Sequence, residues 1–260
     1  MTGDLAGELL TLAANLATRV GDTALAGRRL GLRNVETKST PTDMVTEYDR
    51  ATEREIVSTL QRLRPDDAIV GEEGASHDGT SGITWFVDPI DGTTNFLYDL
   101  PMWTVSIGAH DANGARCGVV YAPALREMFT AIRGGGAFLN GHRIVCSDVT
   151  DPTRALVGTG FNYSPANRVT QAKRFPQFID KIRDVRRLGS ASLDLCFVAC
   201  GRYDAYFEEH LYPWDLAAGS LIAAEAGAHV ELVTTTGPGA LAVLAANPVL
   251  FPQIKSILLR

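Results

Sequence analysis

The chain has few cysteines and no zinc-ligand spacing. Cys117, Cys146, Cys196 and Cys200 form no C-x-x-C pair and are too sparse for a disulfide framework, which leaves a reduced, cytoplasmic protein as the simplest expectation. Cys196 and Cys200 fall one helical turn apart around the apolar residues 195–199 and read as buried thiols. The five histidines, His77, His110, His142, His210 and His229, show neither H-x-x-x-H nor H-E-x-x-H spacing. No cysteine or serine has an evident histidine partner, so the sequence does not call for a covalent nucleophile.

Excess positive charge is also lacking. A net charge of −6 and a pI near 5.4 give no basic face able to track a phosphate backbone, so direct nucleic-acid binding is not expected. The one basic cluster, Lys181, Arg183, Arg186 and Arg187, alternates with Asp180 and Asp184 and reads as a solvated helix end. The first residues carry Asp4 and Glu8 where an export signal would carry positive charge. Residues 232–254 are free of charged side chains, but Gly237, Pro238, Gly239, Pro248 and Pro252 break the run into strand, turn and helix start, and no membrane association is expected.

What is present is a hydrophobic content of 45% over 260 residues, enough for one large domain or two fused halves. No repeat and no low-complexity linker divides the chain. The expectation is a single catalytic domain over 1–260 with an N-terminal α+β half, 1–146, and a C-terminal α/β half, 147–260.

Leu5, Leu9, Leu12, Leu16 and Val20 predict an amphipathic helix ending near Gly21. Residues 46–63 predict a second, with Ile56, Leu60 and Leu63 inward and Glu47, Asp49, Arg50, Glu53, Arg54 and Glu55 in water. Between 68 and 133 short apolar runs alternate with turns at 111–114 and 123–126, the texture of an antiparallel meander, with further turns at 134–136 and 140–141. From 156 onward strands and helices alternate, with helices at 190–200 and 216–226.

Acidic residues collect where these elements end. Asp88 and Asp91 follow the apolar run 85–87 in Asp88-Pro89-Ile90-Asp91-Gly92-Thr93-Thr94-Asn95-Phe96. Glu72 and Glu73 follow the strand at 68–70, and Asp215 opens the helix at 216. Taken singly, each has a structural explanation as a helix cap or a surface acid. Taken together, they are turns that each end in acid, and several carboxylates cannot share a pocket without cations, since like charges a few ångström apart repel by several kcal/mol at about intermediate dielectric. Oxygen ligands select magnesium or manganese over zinc.

The segments DPIDGTTNF, GEE and WDLAAG, together with Gly189-Ser190-Ala191 and Asp204-Ala205-Tyr206-Phe207-Glu208, resemble the motif set of the inositol monophosphatase family of magnesium-dependent, lithium-sensitive phosphatases. The resemblance implies an αβαβα layered sandwich, a homodimer and two to three magnesium ions, with manganese as a substitute. It implies a first ion on Glu72, Asp88 and the Ile90 carbonyl, a second on Asp88, Asp91 and Asp215, and a looser third leaning on Glu72. Thr93 and Glu72 would activate the attacking water, with Asp43 polarising the Thr93 hydroxyl. The N–H groups of Gly92, Thr93 and Thr94 would cradle phosphate, while Arg186, Ser190, Ala191, Glu208 and Asp215 would meet the alcohol, with His210 near the rim. The substrate implied is myo-inositol 1-phosphate or a related polyol phosphate. Histidinol phosphate, fructose 1,6-bisphosphate, NADP and 3′-phosphoadenosine 5′-phosphate are alternatives on the same scaffold, as is a regulatory role through protein partners of the transcription or ribosomal-RNA machinery.

Overall fold

Leu9, Ala13, Leu16, Val20 and Ala24 are all buried, and the helix they specify, α1 (Leu5–Arg29), runs past Gly21 instead of ending there. The computed structural model, which describes residues 5–31, 35–38, 43–234 and 241–258, shows Gly21 as a packing residue. A Cβ at that position would lie 2.8 Å from the Pro123 ring and 3.0 Å from Tyr121, so glycine there serves close approach and does not stop the helix.

Strands β1 (Val35–Thr37) and β2 (Met44–Thr46) pair antiparallel and lead into α2 (Glu47–Leu63). Thr46 caps α2 in a capping box, accepting from the Asp49 amide while the Asp49 carboxylate accepts from the Thr46 amide at 2.8 Å. Two acids expected in water are therefore inside: Asp49 is 0% and Glu53 4% exposed, whereas Leu63, expected inward, is 48% exposed. The reason is hydrogen bonding. Asp49 closes the cap, and Glu53 accepts from the amides of Glu73 at 2.8 Å and Ala75 at 3.0 Å, fixing the turn that carries Glu72.

The chain continues through β3 (Ala68–Gly71), β4 (Ser76–His77), β5 (Thr84–Asp91), α3 (Thr93–Leu97), β6 (Thr104–Asp111), β7 (Gly114–Ala122), β8 (Glu127–Ile132), β9 (Gly136–Leu139) and β10 (His142–Ile144). These strands form one sheet in the order β10-β9-β8-β7-β6-β5-β3-β4, antiparallel except for the β3–β5 pair. Strands β9 and β10 occupy sequence whose glycines advertised only turns.

Beyond it lie β11 (Leu156–Thr159), α4 (Pro165–Ala172), α5 (Phe175–Phe178), β12 (Asp184–Arg186), α6 (Ala191–Ala199), β13 (Ala205–Leu211), α7 (Pro213–Leu216), α8 (Gly219–Glu225), β14 (His229–Thr234), β15 (Leu241–Ala246) and α9 (Phe251–Leu258). The second sheet runs β12-β11-β13-β15-β14, with β11 parallel to both neighbours. The helix expected at 216–226 is the shorter α8, and the separate turn of α7 before it ends at Leu216.

Three apolar clusters bind the layers. α1 and α2 cover one face of the larger sheet through Leu9, Leu16, Ile56, Leu60, Trp85 and Ile107. α6 and α8 fill the space between the sheets, and α5 and α9 close the far face of the smaller one through Phe178, Ile254 and Leu258. The result is the αβαβα sandwich.

Gly108 and Gly118 face each other across β6 and β7. A Cβ on Gly108 would lie 2.9 Å from Ala217 Cβ, and one on Gly118 would lie 2.9 Å from Ala218 Cα. Bare backbone thus lets the α7–α8 joint rest on the sheet, which sets where Asp215 stands. Gly118→Val is expected to cost about 1–3 kcal/mol through overpacking. Urea unfolding monitored by circular dichroism checks this; an unchanged midpoint would refute the close-packing argument.

Candidate active site

Each functional side chain stands at the end of an element. β5 delivers Asp88, Ile90 and Asp91, the β3–β4 turn delivers Glu72, and the start of α7 delivers Asp215. Asp88, Asp91 and Asp215 each place a carboxylate oxygen within 4.8 Å of the others, so they could hold a metal ion between them. Asp88 and Asp91 are 2% and 7% exposed. Glu72 joins from the side. It lines the same cavity as Asp88 and forms an ion pair with Lys38 at 2.8 Å, and Lys38 also pairs with Glu73.

The electrostatics fit a cation. Burial, and then repulsion from the neighbouring acids, holds Asp88 and Asp215 well above the ordinary carboxylate range. Burial pushes Glu72 up to about 7 despite Lys38. Asp91 is also raised by burial but is opposed by hydrogen bonds. It accepts from Ser190 Oγ at 2.8 Å, Ala191 N at 3.2 Å, Ser192 N at 2.7 Å and Ser192 Oγ at 2.5 Å, and so caps α6 from across the chain. Hard oxygen donors with this imbalance suit a divalent ion.

These groups line a cavity of about 290 Å³. Asp43, Glu72, Asp88, Ile90, Asp91, Gly92, Thr93, Ala191, Glu208 and Asp215 all reach it. Three expected substrate contacts do not. Ser190 is 1% exposed and spends its hydroxyl on Asp91, and Thr94 stands outside the wall. Arg186 is turned to Asp184 at 2.5 Å, and its neighbour Arg187 lines the cavity in its place.

A further difference concerns the hydroxyl beside the acids. Thr93 Oγ1 donates to Asp49 Oδ1 at 3.0 Å, with the Ile90 carbonyl at 3.1 Å as a second acceptor; Asp43, which the family resemblance implied for this role, lines the cavity wall. The capping box is the cause, because it turns Asp49 inward at the third helical position. The Thr46-x-x-Asp49 spacing was the available signal.

Ser192 was likewise overlooked, inside a run that reads as plain helix. Asp194, also in α6, is 0% exposed, and neither of its carboxyl oxygens has a hydrogen-bond partner among the described residues; burial holds it well above the carboxylate range. Glu208 accepts from Tyr206 at 2.6 Å and is pushed up to about 7 by burial.

The sequence profile of the Inositol monophosphatase family matches residues 6–257. The Inositol-1-monophosphatase SuhB of Mycobacterium tuberculosis is 45% identical over 236 residues, spanning 87% of this chain and 81% of its own. Its solved structure superposes with a TM-score of 0.84 at 41% identity, covering 99% of this chain and 98% of that one. The Nus factor SuhB of Pasteurella multocida is 39% identical over 223 residues, 84% of this chain and 83% of its own. The staphylococcal SaIMPase-II, solved with inositol monophosphate bound, has a TM-score of 0.79 at 27% identity over 96% of this chain and 93% of that one.

Glu72 and Glu208 are held at about 7 against an ordinary 4.5, so the folded state binds more protons than the unfolded one between those values. The contribution of these two groups to stability is then fully present below about pH 4.5 and falls as pH rises toward about 7. In protein stripped with EDTA the thermal midpoint is expected to drop from about pH 5 to about pH 7.5, and divalent ions should raise it more at the higher pH. A midpoint that rises with pH in EDTA would contradict this electrostatic picture.

Proposed function

The chain belongs to the inositol monophosphatase family, and on that premise we propose that it is a magnesium-dependent phosphomonoesterase acting on myo-inositol 1-phosphate or a related polyol or sugar phosphate. The observation that carries this reading is the convergence of Asp88, Asp91 and Asp215 within 4.8 Å in a cavity that also holds Thr93 and the start of α3. Phosphate monoesters hydrolyse so slowly unaided that accelerations up to about 10²¹ are needed, and positioning with electrostatic stabilisation must supply them.

Asp88, Asp91 and Asp215 would hold the magnesium ions, with Glu72 and the Ile90 carbonyl completing the set. Bound magnesium supplies Lewis acidity, acidifying water and neutralising charge on phosphoryl oxygens. The protein's own groups do the rest. Thr93 is oriented by Asp49, so that its hydroxyl can take a proton from the attacking water and pass its own to the carboxylate. Asp91 is fixed by the amides and hydroxyls at the start of α6, which holds the acid cluster in register. α3 opens at Gly92, and its first N–H groups have no intrahelical acceptors, so they face incoming phosphate oxygens. Glu208, supported by Tyr206, accepts a hydroxyl of the alcohol.

A second reading comes from the Nus factor names among the relatives: a regulatory role through partner proteins. The two separate on one variant, because a role independent of turnover survives loss of a ligand. We expect Asp88→Asn to lower kcat/KM on myo-inositol 1-phosphate by about 10²-fold or more with unchanged circular dichroism. Asp49→Asn should lower kcat by about 10²-fold and Asp43→Asn by much less, and millimolar lithium should inhibit the parent. Parental activity in Asp88→Asn, or no turnover of any phosphomonoester with magnesium, would defeat the phosphatase reading.

A further inference from the structure

One wall of the cavity is aromatic. The rings of Tyr212 and Trp214 are parallel, with centroids 5.0 Å apart and planes inclined by 10°. Both line the space shared by Asp88, Asp91 and Asp215. Their place is fixed by one of those acids. The Tyr212 amide donates to Asp215 Oδ2 at 2.7 Å, the Asp215 amide donates to the Tyr212 carbonyl at 3.2 Å, and Pro213 between them has no freedom in φ.

The approach to this pair is strained. β13 bulges between Glu209 and Leu211, and His210 adopts φ 65°, a left-handed conformation that costs a non-glycine residue about 1–3 kcal/mol. Bulges re-aim a strand, and beyond this one Tyr212 and Trp214 both reach the cavity. Trp214 covers one face of the Tyr212 ring, yet Tyr212 remains 44% exposed. A flat, rigid and half-open π surface therefore stands beside the Asp215 carboxylate.

We infer that Tyr212, backed by Trp214, is the platform on which the ring of the substrate's alcohol lies, so that the enzyme selects phosphate monoesters of ring-bearing alcohols, a cyclitol first, over open-chain ones. The inference rests on the phosphatase reading and adds a specificity determinant to it. A cyclitol turns most hydroxyls outward around its equator, where Glu208 accepts one, and leaves a face of C–H groups that the negative face of an aromatic ring attracts. An open-chain polyol offers less area to the ring and freezes more rotors on binding.

The test compares kcat/KM for myo-inositol 1-phosphate with that for glycerol 2-phosphate, under magnesium, in the parent and in Tyr212→Ala. The Asp215 contact uses the Tyr212 backbone and persists in the variant. The ratio of the two substrates is expected to fall about 10-fold through KM, with kcat nearly constant, and Tyr212→Phe should restore it. Adenosine 2′-monophosphate identifies the ring: if its kcat/KM alone falls in Tyr212→Ala, the platform holds a base and the cyclitol assignment is overturned. An unchanged ratio, or equal losses on both polyol phosphates, overturns the platform. If the parent hydrolyses none of these esters, the phosphatase reading falls, and the platform is judged by Trp214 fluorescence, since Trp85 and Trp103 are 0% and 2% exposed. A change with myo-inositol 1-phosphate but not with glycerol 2-phosphate upholds it; equal responses, or none, overturn it.

Discussion

Mutual repulsion among carboxylates is the constraint around which this molecule is arranged. Asp88, Asp91 and Asp215 meet within 4.8 Å, two of them almost wholly buried, an arrangement that costs several kcal/mol unless positive charge joins it. A divalent ion held by the three carboxylates would relieve that repulsion, and its binding would then add to the folding free energy.

Holding such a cluster together takes precision from distant parts of the chain. The facing glycines 108 and 118 admit the Ala217–Ala218 joint and thereby set the height of Asp215 over β5. Asp91 is tied to the start of α6, so an acid from the larger sheet also terminates a helix of the middle layer. On the other side Glu53 clamps the turn bearing Glu72, and Asp49 joins the cap of α2 to the Thr93 hydroxyl. Phe96 of α3 packs edge-on against Trp103 and Tyr48 and anchors the loop after Asp91. Structural and chemical roles are carried by the same side chains, and a change made for stability at one of them will be felt in the chemistry.

The layered architecture was legible because its signals are local. Apolar periodicity marks α1 and the strands from Ala68 to Ile132, and acid-bearing turns after apolar runs mark the site. What stayed hidden depends on contacts across the chain. Gly21 looks like a helix terminator until Pro123 and Tyr121 are seen against it. Asp49 and Glu53 look like solvent-facing acids because amphipathic periodicity assigns charge to water, whereas here their partners are backbone amides and the hydroxyls of Thr46 and Thr93. Arg186 and Arg187 are indistinguishable in sequence, yet Arg186 ends β12 paired with Asp184 while Arg187, one residue beyond the strand, lines the cavity.

Manganese, which can stand in for magnesium and scatters anomalously, gives the most direct measurement of the central claim. Crystals grown with manganese and inorganic phosphate should show an anomalous peak bounded by Asp88, Asp91 and Asp215, with phosphate beside Gly92 and Thr93. Peaks confined to other acids of the surface, with none among these three, would contradict the account.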